Sequence, residues 1–77
     1  MSFLVMEHFV YIIQSQKVHS FYKGYTTNYF KRLEQHNAGE SRYTSKKMPW
    51  LLVYVERHET KREALIREKS LKKANSR

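Results

Sequence analysis

The sequence predicts an α+β fold: a small three-stranded, mainly antiparallel sheet with flanking helices, in the order β-β-α-β-α. Three observations lead there. Two runs rich in β-branched and aromatic residues stand near the N-terminus, with a polar stretch between them. A cluster of helix-capping residues, Thr26-Thr27-Asn28, precedes a segment of helical periodicity. A nearly continuous apolar run is then followed by a second capping signature and a long charged segment.

The first run, HFVYIIQ (8–14), has the composition of a strand, and Ser20 to Tyr25 reads as its partner. The polar SQKVH between them makes the pair a hairpin. An even-length turn centred between Gln16 and Lys17 would put Tyr11 directly opposite Tyr22, two phenols on one face. Gly24 either admits a ligand close to the backbone or marks a bulge.

The segment YFKRLEQHN follows Asn28 with Tyr29, Leu33 and His36 on one helical face, and Gly39 ends it. Glu40 to Lys47 reads as a basic loop closed by Met48-Pro49. WLLVYVE (50–56) has the continuous hydrophobicity of a central strand. Thr60-Lys61-Arg62-Glu63 has the form of a capping box, which predicts a last helix from about 61 to 74.

Size and composition narrow the function. The chain of 77 residues is expected to form one domain with a thin core. It has no cysteine, which excludes disulfides, thiolate-bound zinc and a thiol nucleophile, and fits a reducing cytoplasm. The apolar MSFLVM is too short to span a membrane, lacks a basic flank and is interrupted by Glu7; Met6 would serve equally well as a start. The chain therefore reads as soluble, unanchored and cytoplasmic. Fifteen Lys and Arg against seven Asp and Glu give a net charge of +8, with pI near 9.9. A polyanion is the natural partner for such a field, because each neutralised phosphate releases condensed counterions. Charge alone does not separate a nuclease from an RNA-binding protein of the ribosome.

Polar residues in core-facing positions are more selective. Ala64, Glu68 and Leu71 fall at i, i+4 and i+7 on the last helix, so a carboxylate sits on the stripe facing the sheet. It requires a basic partner, a metal ion or a place at the edge of the core. Arg32 and His36 share a face of the middle helix and either grip a phosphate or stand solvated at the surface. His8, His19 and His58 lack metal-ligand spacing, and phosphate-loop, G-x-S-x-G and zinc-finger patterns are absent. Phe3, Leu4 and Val5 are the one candidate for an apolar protein-interaction patch.

Taken together, HFVYIIQS, FYKGYTTNYFKRLEQHN, RYTSKK-MPWLLVYVE and EALIREKSLKK resemble the GIY-YIG nuclease domain, over residues 8 to 73. The likeness is greatest to the short stand-alone bacterial members. By this resemblance Tyr11 matches the first motif's tyrosine, Tyr22 and Gly24 match the second motif, Arg32 is the helix arginine, and His36 with Asn37 fills the His-Asn position. Glu68, in an E-x-x-L pattern ending at Leu71, matches the glutamate that binds one divalent metal. Two departures stand out. The first motif reads Val10-Tyr11-Ile12, without its glycine, and Lys23 replaces an apolar residue in the second. Neither removes a matched chemical group.

The resemblance implies a metal-dependent endonuclease using one Mg²⁺ or Mn²⁺ at Glu68, with nucleic acid as substrate and DNA favoured over RNA. Arg32 would neutralise phosphoryl charge and Tyr22 would orient water or phosphate. Tyr11 and His36 are both candidates for the general base, Tyr11 if nearby positive charge lowers its pKa. Lys31, Arg42, Lys46 and Lys47 are placed to follow a phosphate backbone, and Tyr43 either stacks on an unpaired base or packs on the helix. No further segment supplies a DNA-targeting domain. An inactive nucleic-acid-binding module on the same fold is the alternative. The sharpest expectation is geometric: Tyr11, Tyr22, Arg32 and Glu68 converge on one face.

Overall fold

The computed structural model describes residues 6–74, so the expectations for MSFLV, including the apolar patch Phe3-Leu4-Val5, fall outside the described residues. Six elements follow in chain order: β1 (His8–Ser15), β2 (Phe21–Thr26), α1 (Tyr29–Asn37), α2 (Arg42–Ser45), β3 (Trp50–His58) and α3 (Lys61–Ala74). The strands form one open antiparallel sheet in the order β2-β1-β3. The α+β architecture expected from the sequence is therefore present, with one short extra helix.

The central strand is β1, not the WLLVYVE segment, which lies at the edge as β3. β1 is covered on both sides: Val10 is buried on one face, and Tyr11 and Ile13 on the other. β3 misleads because it carries a bulge. Ile12 pairs with Tyr54 while Ile13 pairs with Leu52, so Val53 is the extra residue. The insertion breaks the period-2 alternation and makes a one-sided strand read as a continuous apolar run. Its Leu51, Val53 and Tyr54 remain exposed.

The β1–β2 register also differs from expectation. Tyr11 pairs with Gly24, and Tyr22 pairs with Ile13. The connection is longer than supposed because Ser15 and the turn hold it open. Ser15 N donates to Ser20 O at 2.8 Å, and the Ser15 hydroxyl accepts from Lys17 N and Val18 N at 3.1 and 3.0 Å. His19 takes the left-handed conformation, at φ 61°. The resulting slip is two residues, which preserves facing: Tyr11, Ile13 and Tyr22 still share one side of the sheet.

α1 begins as predicted, with Asn28 Oδ1 accepting from Lys31 N at 3.1 Å. It ends in a Schellman arrangement, Glu40 N donating to Gln35 O and Gly39 N to His36 O, with Gly39 at φ 80°. The expected loop from Glu40 to Lys47 instead contains the single-turn helix α2. Its Thr44 is fully buried, which a solvent loop would not arrange. The Met48-Pro49 peptide is cis.

The main core lies on the Tyr11 face: Tyr11, Ile13 and Trp50, with Leu33 of α1, Met48, Leu52 and Val55 packed against them. Each such aliphatic side chain contributes about 1.5–3 kcal/mol on burial. α3 is capped by Thr60, whose hydroxyl accepts from Glu63 N at 3.1 Å. It follows the predicted stripe, with Ala64 buried and Glu68 and Leu71 half-buried. Its Lys61 lies over the Tyr25 ring and its Arg67 pairs with Glu56 at 2.8 Å. Tyr25 and Glu56 both pair with Val10, so α3 engages the Val10 face. Its last turn still brings Lys72 within 5.8 Å of the Tyr22 ring centroid, toward the opposite face.

Candidate active site

The site is laid on the sheet backbone. Tyr11 points from the middle strand across its pairing partner Gly24, and a Cβ at that position would sit 2.5 Å from the Tyr11 hydroxyl. Gly24 therefore marks no bulge. It makes room for a phenol ring, which is only 2% exposed.

The Tyr11 hydroxyl shares a 2.9 Å hydrogen bond with His36 Nε2, and His36 Nδ1 shares one of 2.8 Å with the Thr44 hydroxyl. His36 is completely buried, so the solvated Arg–His pair that the helix spacing allowed is not what forms. The imidazole is the hub between β1, α1 and α2. Burial, with help from the Arg32 charge, lowers its pKa from 6.5 to about 4, so it is neutral at pH 7. Burial, reinforced by Tyr22, pushes the Tyr11 phenol from 10.0 up to about 12, against the opposing pull of Arg32. In the protein alone the Tyr11 pKa thus moves away from 7, not toward it, and the phenol keeps its proton.

Tyr22 is the half-buried outer member. Its ring centroid lies 5.2 Å from His36, 6.4 Å from Tyr11, 6.4 Å from Trp50 and 5.9 Å from Tyr43. The phenols of Tyr11 and Tyr22 are therefore neighbours on a diagonal, not directly opposed. Arg32, one helical turn before His36, donates to Gln35 at 2.9 Å. Glu68 of α3 is half-buried, forms an ion pair with Lys72 at 3.2 Å, and lies close enough for its charge to act on Tyr11. Lys72 is the basic partner that the sequence left open.

Asn37 ties the floor together: its amide donates to Trp50 O at 3.0 Å and accepts from Trp50 N at 2.6 Å, mimicking a strand partner. Trp50 Nε1 donates to Thr44 O at 2.9 Å, fixing α2 against the start of β3. Among the basic residues, Lys31 is exposed on α1, Arg42 and Lys46 are exposed on α2 and beside it, and Lys47 lies over the Tyr43 ring at 4.6 Å. Tyr43 is 59% exposed and so is not packed away on the helix.

Thr44, Trp50 and Lys72 had no assigned role in the sequence and join the site only in the fold. A buried histidine needs partners for two nitrogens, but that demand appears only once His36 is known to be buried. Among the described residues no three His, Asp or Glu side chains group to hold a metal. One carboxylate nevertheless suits Mg²⁺, which usually keeps several waters and takes substrate phosphates. Glu68, at the rim with a releasable lysine partner, fits that donor set.

A buried tyrosine–histidine pair beside an arginine, with a carboxylate at the rim of a β-β-α-α-β-α domain, defines the class. The chain belongs to the GIY-YIG catalytic domain family, a family of nuclease-type domains, whose model matches residues 7–77. It is similar to the UPF0213 protein SH2523 of Staphylococcus haemolyticus, 45% identical over 67 residues that cover 86% of this chain and 80% of the relative. A UPF0213 protein of Staphylococcus aureus (strain Mu3) is 46% identical over 66 residues, covering 84% and 79%. The solution NMR structure of the UPF0213 protein BH0048 from Bacillus halodurans aligns with a TM-score of 0.55 at 35% identity, covering 88% of this chain and 72% of that one. No helix among the described residues is long and apolar enough to cross a membrane.

Proposed function

We propose that this chain is a one-domain, divalent-metal-dependent endonuclease that hydrolyses phosphodiester bonds in nucleic acid, DNA in preference to RNA, in the cytoplasm. The observation that carries the reading is the Tyr11–His36 hydrogen bond, buried beside Arg32 and within reach of the Glu68 charge. A structural tyrosine needs one hydrogen-bond partner; it does not need a neutral imidazole, a guanidinium and a carboxylate around it.

In this mechanism Tyr11 and His36 act as one base. As water bonds to phosphorus and the P–O bond to the leaving oxygen breaks, the water gives its proton to the Tyr11 oxygen and the phenol passes its own proton to His36 Nε2. The leaving oxygen takes a proton from solvent. The tyrosine returns to its neutral form and the positive charge is left on the imidazole, where the bound phosphate stabilises it. A phenol held at about 12 is a poor donor to bulk water, so its proton is retained until that transfer. Arg32 supplies a planar donor to the phosphoryl oxygens, and Tyr22 orients the incoming phosphate. Glu68 would hold one Mg²⁺ or Mn²⁺, which when bound supplies Lewis-acid stabilisation of the developing charge. Lys31, Arg42, Lys46 and Lys47 provide backbone attraction, and the exposed Tyr43 offers a stacking surface to an unpaired base.

The test is cleavage of labelled single-stranded, duplex, flap and RNA substrates by wild type and Glu68→Ala, with Mg²⁺ or Mn²⁺ and with EDTA. Metal-dependent cleavage that disappears in the variant supports the proposal. Binding without cleavage across the panel replaces it with an inactive nucleic-acid-binding module.

A further inference from the structure

The sequence assigned Thr44 no role, yet it is fully buried and its hydroxyl is 2.8 Å from His36 Nδ1. We infer that Thr44 is a positioning residue: it holds His36 in the tautomer that carries its proton on Nδ1 and leaves Nε2 bare toward Tyr11.

The buried Tyr11 hydroxyl has one proton to place, and the hydrogen-bond acceptor at its oxygen is His36 Nε2, at 2.9 Å. Arg32, the other side chain within hydrogen-bonding reach of that oxygen, is a donor only, and Tyr22 and Glu68 act on it through charge. With the phenol as the donor, Nε2 is unprotonated. A neutral imidazole then carries its proton on Nδ1, and that nitrogen needs an acceptor in a site without water contact. The Thr44 hydroxyl oxygen is that acceptor. Two further bonds keep it there: the Trp50 indole donates to Thr44 O at 2.9 Å, and the Asn37 amide fixes Trp50. The one-turn helix α2 thus exists at this point of the chain to deliver a single oxygen atom.

This inference extends the proposed nuclease mechanism, but its first test does not depend on cleavage. Long-range ¹H–¹⁵N correlation of the imidazole at pH 7, assigned through the side-chain carbons of His36, shows which ring nitrogen bears the proton. Wild type is expected to show Nδ1 protonated, and Nε2 protonated would overturn the inference. Thr44→Val, which keeps the shape and removes the oxygen, is expected to move the proton to Nε2, while Thr44→Ser restores the wild-type pattern. An unchanged tautomer in a folded Thr44→Val also overturns it. In cleavage assays Thr44→Val should lower kcat by roughly tenfold or more with KM nearly unchanged, as loss of a tautomer-fixing partner does elsewhere. An inactive wild type with the Nδ1 tautomer would refute the nuclease reading and leave the role of Thr44 standing.

Discussion

Two clusters in this chain are made from the same four side-chain types. One contains Tyr11, His36, Arg32 and Glu68. The other, on β3 and α3, contains Tyr54, His58, Arg67 and Glu56. In the second, the carboxylate is at the centre: Glu56 accepts from Tyr54 at 2.5 Å and from His58 and Arg67 at 2.8 Å each. Burial alone would raise the Glu56 pKa, but hydrogen bonds from those three partners outweigh it and hold the group at about 2. In the first, the histidine is at the centre, and Glu68 is at the rim with Lys72. The difference lies in whether the acid is already consumed. Glu56 has its lone pairs occupied by fixed donors and serves to tie a helix to an edge strand. Glu68 has one exposed lysine, whose ion pair is of the kind worth little in water, and in the proposed mechanism it exchanges that lysine for a cation.

The largest effect that would sharpen this contrast is on cleavage. Glu68→Gln should reduce metal-dependent turnover by about 10³-fold or more while leaving the thermal midpoint nearly unchanged. Glu56→Gln should do the reverse: normal turnover, with a thermal midpoint lower by on the order of 5 °C. Equal damage to activity from both variants would erase the distinction between the clusters.

Gly24→Ala comes next. A methyl 2.5 Å from the Tyr11 hydroxyl forces the ring to shift, and that hydroxyl is tied to His36 by its 2.9 Å hydrogen bond. Turnover should fall by about 10²-fold, the usual consequence of misplacing a reacting group by an ångström, with a destabilisation of roughly 1–3 kcal/mol. Urea denaturation and cleavage measured on the same preparation check both.

Acid separates the clusters by window. His36 has a folded pKa of about 4 against an ordinary 6.5, so from 6.5 down to 4 the unfolded chain takes up the proton first and stability falls as pH drops. The full contribution is about 3 kcal/mol at most. Glu56, held near 2 against 4.5, contributes stability above 4.5 that is lost as pH falls toward 2. Urea midpoints measured from pH 7 to 3 should therefore show His36→Gln flattening the upper part of the curve and Glu56→Gln the lower. Curves that stay parallel to wild type would show that neither group titrates as described.

The smallest effect concerns the outer surface. Tyr43→Ala should weaken binding to single strands by roughly 1–3 kcal/mol and leave duplex binding little changed. Equal loss on both substrates would assign Tyr43 to general backbone contact instead.

Much of this arrangement was legible before the fold was known, for a physical reason. Caps, glycine ends and helical stripes are local, so Asn28, Gly39, Thr60 and the Ala64-Glu68-Leu71 face emerged where the sequence placed them. What failed depended on distant partners. The centrality of β1 over β3, the length of the first turn and the burial of His36 are all decided by what packs above them. Val53 shows the point: one inserted residue erased the alternation that identifies an edge strand. Thr44 was hidden for the same reason, being a polar residue in a polar stretch until Trp50 and His36 close around it.

The bulge at Val53 has one more consequence. β3 is the free margin of a small sheet and carries exposed Leu51, Val53 and Tyr54, the composition from which chains recruit each other into fibres. An extra residue in mid-strand interrupts the regular row of amides and carbonyls, so an incoming strand finds no continuous ladder to copy. A feature that obscures the strand in the sequence thus works against edge-to-edge pairing of one folded chain with another.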